Sequence, residues 1–338
     1  MTGIELFHRY PARQYYDPIG RLVAEGKADY FSTYQFELRH NPRDVVENVR
    51  FLLSAARGRD AKLLLGAEPF DIRVPYFEQL ARRNDMIYHT SWPFWSGDRV
   101  PKRPWVERQR REWRSFVQRV PTVAVTRAAT EAVEDFGGDA IHIPHGVDTT
   151  VYSPDKGADA ENQRVLFVGE LTEQKGIRDL VAAAERLDSD GATFQFVGQG
   201  PLADYLREYS EPASIEHLGY VADDERLAEL YATADVHALP SYPTEYWEEL
   251  FGMVIIEAMA AGTPTVATDC VGPREVVEDG ETGFVVERRD VEAIADAIDS
   301  LLANPELRAE MGARARRVAE ETYDMSHIAA QWYEILNL

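Results

Sequence analysis

The sequence predicts an α/β protein made of two doubly wound parallel sheets, on three observations. Its 338 residues suffice for two domains, each with its own core. From Arg164 onward, short apolar runs alternate with segments of helical period, the order a doubly wound sheet demands. Polar or glycine-bearing turns follow these runs, at the strand ends where open α/β sheets carry their ligand crevice.

The elements follow in order. Ile4–His8 is a first strand, and the Tyr-, Arg- and Pro-rich segment His8–Asp29 reads as an extended loop. Asn41-Pro42 leads into a helix over Asp44–Arg57, in which Val45, Val49, Leu52 and Leu53 share a face. Ala61–Gly66 is a buried-type strand and Val74–Arg83 a helix. Met86–Tyr88 is a strand that ends in the polar cluster His89-Thr90-Ser91, and Val123–Thr126 is another, followed by a helix over Ala128–Phe136. Ile141–Pro154 reads as a connector, stiffened by Pro144 and Pro154 and turned at Gly146.

In the second half the strands are Arg164–Gly169, Thr193–Gly198, Ser214–Leu218, Asp235–Leu239, Thr265–Thr268 and Phe284–Glu287. Helices are predicted over Ile177–Leu187, Leu202–Tyr209 and Asp224–Ala232. Three more close the chain, Val291–Ala303, Pro305–Thr322 and Met325–Leu336.

Composition narrows the function. Residues 1–150 hold 22 Lys and Arg against 20 Asp and Glu, while residues 151–338 hold 14 against 38. Such acidity argues against a nucleic-acid partner. Only five residues are lysine, and an acidic, lysine-poor surface suits a salt-rich cytosol, which leads us to expect a halophilic source. No apolar run approaches a membrane span, and no signal-peptide core opens the sequence. The single Cys270 fits a reducing compartment, so a cytoplasmic location is expected. No His, Asp or Glu cluster has metal-ligand spacing, and Gly198 and Gly200 do not make a dinucleotide fingerprint, so neither a metal nor a nicotinamide or flavin cofactor is expected.

Against that background, residues 99–119 form a basic island of eight Arg and Lys with two Glu, interleaved with Trp105, Trp113 and Phe116. Three readings stand: an amphipathic helix lying on an anionic membrane surface, a seat for an anionic acceptor, or a solvated helix with its aromatics in the core.

The most informative stretch runs from Glu249 to Gly262, ELFGMVIIEAMAAG. Gly252 allows a tight turn, and a buried helix begins directly after it. The first turn of such a helix presents unpaired N–H groups, a natural seat for phosphate. Glu249 and Glu257 flank that seat; because carboxylates repel phosphate, their expected partners are hydroxyls. Phosphate between two sets of hydroxyls describes a nucleotide sugar.

This stretch, with the series from Ile141 to Gly283, resembles a family 4 glycosyltransferase of the GT-B fold, whose signature is two glutamates separated by seven residues. The resemblance implies two Rossmann-like domains facing a central cleft. Residues 1–152 would bind the acceptor and residues 153–324 the donor, with helix 325–338 packing back on the first domain. It implies transfer of a sugar from a nucleotide-diphosphate donor to a hydroxyl of a glycan or lipid-linked acceptor, with retention of anomeric configuration. It further implies donor contacts at Gly169, Glu170, Lys175, Tyr220, Val221, Phe251, Gly252, Met253, Val254 and Glu257. Of these, Lys175 would meet the diphosphate and Glu257 the ribose. Glu249 and His89 would be the catalytic pair beside the donor sugar, although for His89 a plain hydrogen bond to loop backbone is the competing reading. The peripheral-membrane reading of residues 99–119 would place the protein at the inner membrane face. Glu170 stands where relatives carry a basic residue, and a glycine pair after the first strand is missing. Two rival classes therefore remain: a nucleotide-sugar-binding subunit without catalysis, and a sugar-nucleotide epimerase.

Overall fold

A computed structural model describes residues 2–337 apart from 10–12, 36–41, 98, 101, 158–162, 188–191 and 209–214. The chain divides into two compact units, Met1–Gly146 with Met325–Leu338, and Val147–Asp324.

The first unit carries six parallel strands: β1 (Gly3–His8), β2 (Phe31–Gln35), β3 (Ala61–Gly66), β4 (Asp85–Thr90), β5 (Thr122–Ala124) and β6 (Ala140–His142), in the order β2-β1-β3-β4-β5-β6. Alternate side chains serve opposite layers, as the pleat requires. Phe7, Leu63, Leu65, Met86 and Tyr88 pack with Phe77, Trp113 and Phe116 on one face. Ile4, Leu6, Leu64, Ile87 and Val123 pack with Ile19, Leu22, Trp332 and Leu336 on the other. The helix Met325–Leu336 thus belongs to the core of this unit.

The second unit is a six-stranded parallel sheet of order β12-β11-β10-β7-β8-β9. Its strands are β7 (Arg164–Val168), β8 (Thr193–Val197), β9 (Ile215–Gly219), β10 (Val236–Leu239), β11 (Thr265–Thr268) and β12 (Gly283–Val286). The winding reverses between β7 and β10, so the switch point of this sheet lies where those two strands end.

Several expectations need correction. His8–Asp29 is not an extended loop: a turn at Arg13–Tyr16 leads into a helix over Asp17–Ala24. Pro18 sits in the first turn, where its missing N–H costs nothing, and Ile19 and Leu22 are buried. The edge strands β2 and β6 and the short helix Val271–Val276 had no counterpart in the sequence reading. The predicted helix Pro305–Thr322 stops at Val318 and gives way to a wider turn over Ala319–Tyr323. The expected boundaries at Tyr209 and Ser214 lie outside the described residues.

The basic island forms the helix Val106–Val117. Trp113 and Phe116 are fully buried, so its aromatic face is committed to the core, while Trp105 stays half exposed. Among the described residues no helix is long and apolar enough to cross a membrane.

Candidate functional site

The turn after β7 and the loop after β10 meet at the switch point of the second sheet. Gly176, at φ 72°, ends the first turn and starts the helix Ile177–Arg186. A Cβ there would lie 2.0 Å from the carbonyl oxygen of Pro240, so only glycine lets the two segments touch. Tyr242 N–H donates to the Gln174 carbonyl at 2.9 Å and fixes the contact.

This closeness brings Lys175 to Glu249. The ammonium donates to Glu249 Oε2 at 2.5 Å, and both side chains are mostly buried. Trp247 lies beneath the cation, 5.1 Å from its ring centre. Of the neighbouring acids, Glu245 is exposed, and Glu248 accepts from Val271 N–H at 3.1 Å, capping the helix Val271–Val276. Glu249 is therefore the acid at the lysine.

Phe251 is buried, its ring edge-on to Tyr323 at 6.0 Å. Gly252 follows at φ 91° and opens the helix Met253–Ala260. The helix leaves its first amides, those of Met253 and Val254, without intrahelical acceptors, and both residues keep partial exposure. One turn on, Glu257 accepts a hydrogen bond from Tyr231 Oη at 2.8 Å. Its carboxyl keeps some access to solvent but sits deep among protein atoms. Burial pushes it up to about 7; the Tyr231 hydrogen bond pulls against this and the charge of Asp224 adds to it.

The remaining candidates are more dispersed. Gly169 ends β7, its N–H bonded to the Val197 carbonyl at 3.0 Å. Glu170 beside it is exposed, as is Tyr220, with Val221 partly so, after β9 two strands away. Lys175, Glu249, Phe251, Gly252, Met253, Val254 and Glu257 are thus carried by the strand ends and the helix at the switch point, and Tyr220 and Val221 are not.

His89 lies in the first unit, at the end of β4. It is buried, with Nδ1 2.6 Å from Tyr16 Oη and its ring edge-on to Trp332 at 5.6 Å. Burial holds its pKa well below the ordinary histidine value, helped by His145 and His8. The imidazole is neutral at pH 7, and burial keeps the Tyr16 phenol protonated. Among the described residues, the partner at Nδ1 is the Tyr16 phenol rather than loop backbone.

Sequence reasoning missed three partners: Trp247 under Lys175, Tyr231 on Glu257 and Tyr16 on His89. Trp247, two residues before Glu249, was in plain view; the other two lie 26 and 73 residues from their partners, with no spacing signal.

A family model described as glycosyl transferases group 1 matches residues 148–318. The chain belongs to that family. Alpha-maltose-1-phosphate synthase of Mycolicibacterium smegmatis is 32% identical over 225 residues, covering 58% of this chain and 56% of that protein. Phosphatidyl-myo-inositol mannosyltransferase of the same organism is 36% identical over 207 residues, covering 59% and 52%. The chain thus spans about half the length of the curated relatives it matches. Among solved structures, sucrose-phosphate synthase from Thermosynechococcus elongatus superposes with a TM-score of 0.77 at 20% identity, over 100% of this chain and 98% of that one. Anabaena HepE, solved with UDP and glucose, gives 0.73 at 18% identity over the whole of both chains. These likenesses establish the GT-B fold for this group 1 glycosyl transferase.

Proposed function

We propose that this protein is a family 4 glycosyltransferase that moves a sugar from a nucleotide-diphosphate donor to an acceptor hydroxyl with retention of configuration. The observation that carries the reading is the convergence of Lys175, Glu249 and the Gly252 helix N-terminus at one switch point. As the bond between sugar and phosphate breaks, negative charge grows on the departing diphosphate. Lys175 and the first amides of the helix Met253–Ala260 are the groups suited to stabilise it. Glu257 accepts from the ribose diol, as an acidic residue does in dinucleotide folds. Glu249 faces the donor sugar, and His89 is the other catalytic candidate. Gly169, Glu170, Tyr220 and Val221 complete the donor site in this reading, with backbone holding the base.

The second unit is assigned the donor and the first the acceptor, a glycan or a lipid-linked hydroxyl. Since fixed protein charge serves the leaving group, no metal is required in this scheme. The relatives named above support the transferase class, and HepE supports a uridine nucleotide as the first donor base to try.

The test is a thermal-shift screen of UDP, GDP and ADP sugars, followed by donor turnover with and without EDTA. A stabilising donor that is slowly hydrolysed supports the transferase, with an unchanged rate in EDTA expected. Conversion to an isomeric sugar nucleotide, or binding with no turnover under any condition, defeats it.

A further inference from the structure

We infer that Glu249 discriminates between the donor and its spent nucleotide: it opposes a free nucleoside diphosphate at Lys175 but accepts one that carries a sugar. The inference rests on the donor-site reading above and goes beyond it.

The argument starts from the 2.5 Å contact between Lys175 Nζ and Glu249 Oε2. An ammonium is a compact charge with three donors, so it can hold a carboxylate and a phosphate oxygen together. An anion bound to the far side of Lys175 then lies within about 5 Å of the Glu249 carboxylate, given charge-assisted bonds of about 2.8 Å. Both side chains are mostly buried, so the repulsion is weakly screened. The backbone that carries this carboxylate is held in place. Gly272 N–H donates to the Glu249 carbonyl at 3.0 Å, and a Cβ at Gly272 would lie 2.3 Å from Phe251 N, so backbone packs against backbone here. Glu248, which could have shared the load, is engaged at Val271.

Two ligands meet this arrangement differently. A sugar diphosphate brings hydroxyls that donate to the carboxylate and offset its repulsion with the phosphate. A bare diphosphate, no longer esterified by the sugar, carries up to about one more negative charge on its terminal phosphate and has no donor for Glu249. The site thus favours substrate over the product that leaves after transfer, which promotes turnover. The pairing of Lys175 with Glu249 decides this selectivity, whichever base the site prefers.

Calorimetric titration of the full chain with UDP, GDP, UDP-glucose and GDP-mannose tests it, on wild type, Glu249→Gln, Glu249→Ala and Lys175→Met. Thermal melts exclude unfolded variants. Both Glu249 variants are expected to bind the free diphosphate at least about fivefold tighter than wild type, while the sugar-linked form gains nothing. The ratio of the two affinities then falls toward one. If free diphosphate binds the Glu249 variants no tighter, while Lys175→Met still weakens it, the discrimination is wrong and the donor site stands. Should Lys175→Met leave every affinity unchanged, or should no nucleotide bind any form, the donor site itself is wrong and this inference goes with it.

Discussion

Tyr231 Oη donates to Glu257 Oε2 across 2.8 Å, joining the helix Asp224–Ala232 to the helix that opens at Gly252. The bond holds one oxygen of the carboxylate and leaves the other for a ligand. A carboxyl held at about 7 is mixed in charge at neutral pH, and only its ionised form accepts both hydroxyls of a diol.

Donor affinity is therefore expected to rise between pH 6 and 8, by about tenfold if the effect is confined to this group. Glu257→Gln should bind donor more weakly and lose the pH dependence. For stability the sign is opposite. The folded protein keeps a proton between pH 4.5 and 7 that the unfolded chain releases, so this group costs stability as pH rises through that window. Glu257→Gln should thus gain in melting temperature relative to wild type at pH 8 more than at pH 5. A parallel offset at both pH values refutes the assignment.

Lys175→Met removes one charge-assisted bond to the diphosphate and is expected to weaken donor binding by about 1.5–3 kcal/mol, roughly 10- to 150-fold. Gly176→Ala tests the same turn from the backbone side. It combines a φ of 72° with a Cβ 2.0 Å from the Pro240 oxygen, and should cost more than about 2 kcal/mol in denaturant unfolding. If Gly176→Ala is neutral, the two loops do not touch as described.

In the second sheet β7, β10 and β11 were readable because they are buried on both faces and bounded by turn residues. The first unit was less legible where local signals conflict with tertiary demand. Pro18 and Gly20 argue for a loop at Asp17–Ala24, yet Ile19 and Leu22 find a core partner in Trp332, more than 300 residues away. β2 reads Phe-Ser-Thr-Tyr-Gln, half-buried at a sheet edge and too polar to stand out. In the candidate site, the motif residues could be named because the turn chemistry of Gly252 and the spacing of the two glutamates are local. The Lys175–Glu249 pair spans 74 residues and depends on the contact at Gly176 with Pro240, which no one-dimensional pattern displays.

Charge supplies a third test. Residues 151–338 carry a net charge of −24, and at 0.1 M salt the screening length is about 10 Å, long enough for neighbouring carboxylates to repel. At 1 M it falls to about 3 Å. If the chain is adapted to a salt-rich cytosol, as we propose, its melting temperature should climb steadily from 0.1 to 2 M KCl. A melting temperature that is already maximal in dilute buffer argues against that origin.

Acid sensitivity should differ between the two units. His89 and His145 are buried in the first; burial depresses both, His145 to about 4 despite a hydrogen bond with Tyr15 backbone that raises it. His237, buried in the second, is depressed by burial to about 3. Each stays neutral when folded and gains a proton on unfolding below about pH 6.5, so each withdraws up to about 1.4 kcal/mol per pH unit as pH falls. In the second unit Glu257 works the other way between 4.5 and 7, and offsets His237. Among the described residues of the first unit, no carboxyl is shown raised in the way Glu257 is. Amide exchange at pH 7 and pH 5 should therefore show protection lost first around β4 and Tyr16, ahead of β10 and the helix Met253–Ala260. Replacing His89 by Gln, which keeps a hydrogen-bonding group for Tyr16 but cannot titrate, should remove the His89 share of the first unit's pH dependence, leave that of His145, and not alter the second unit. Equal loss in both units at pH 5 contradicts the assignment.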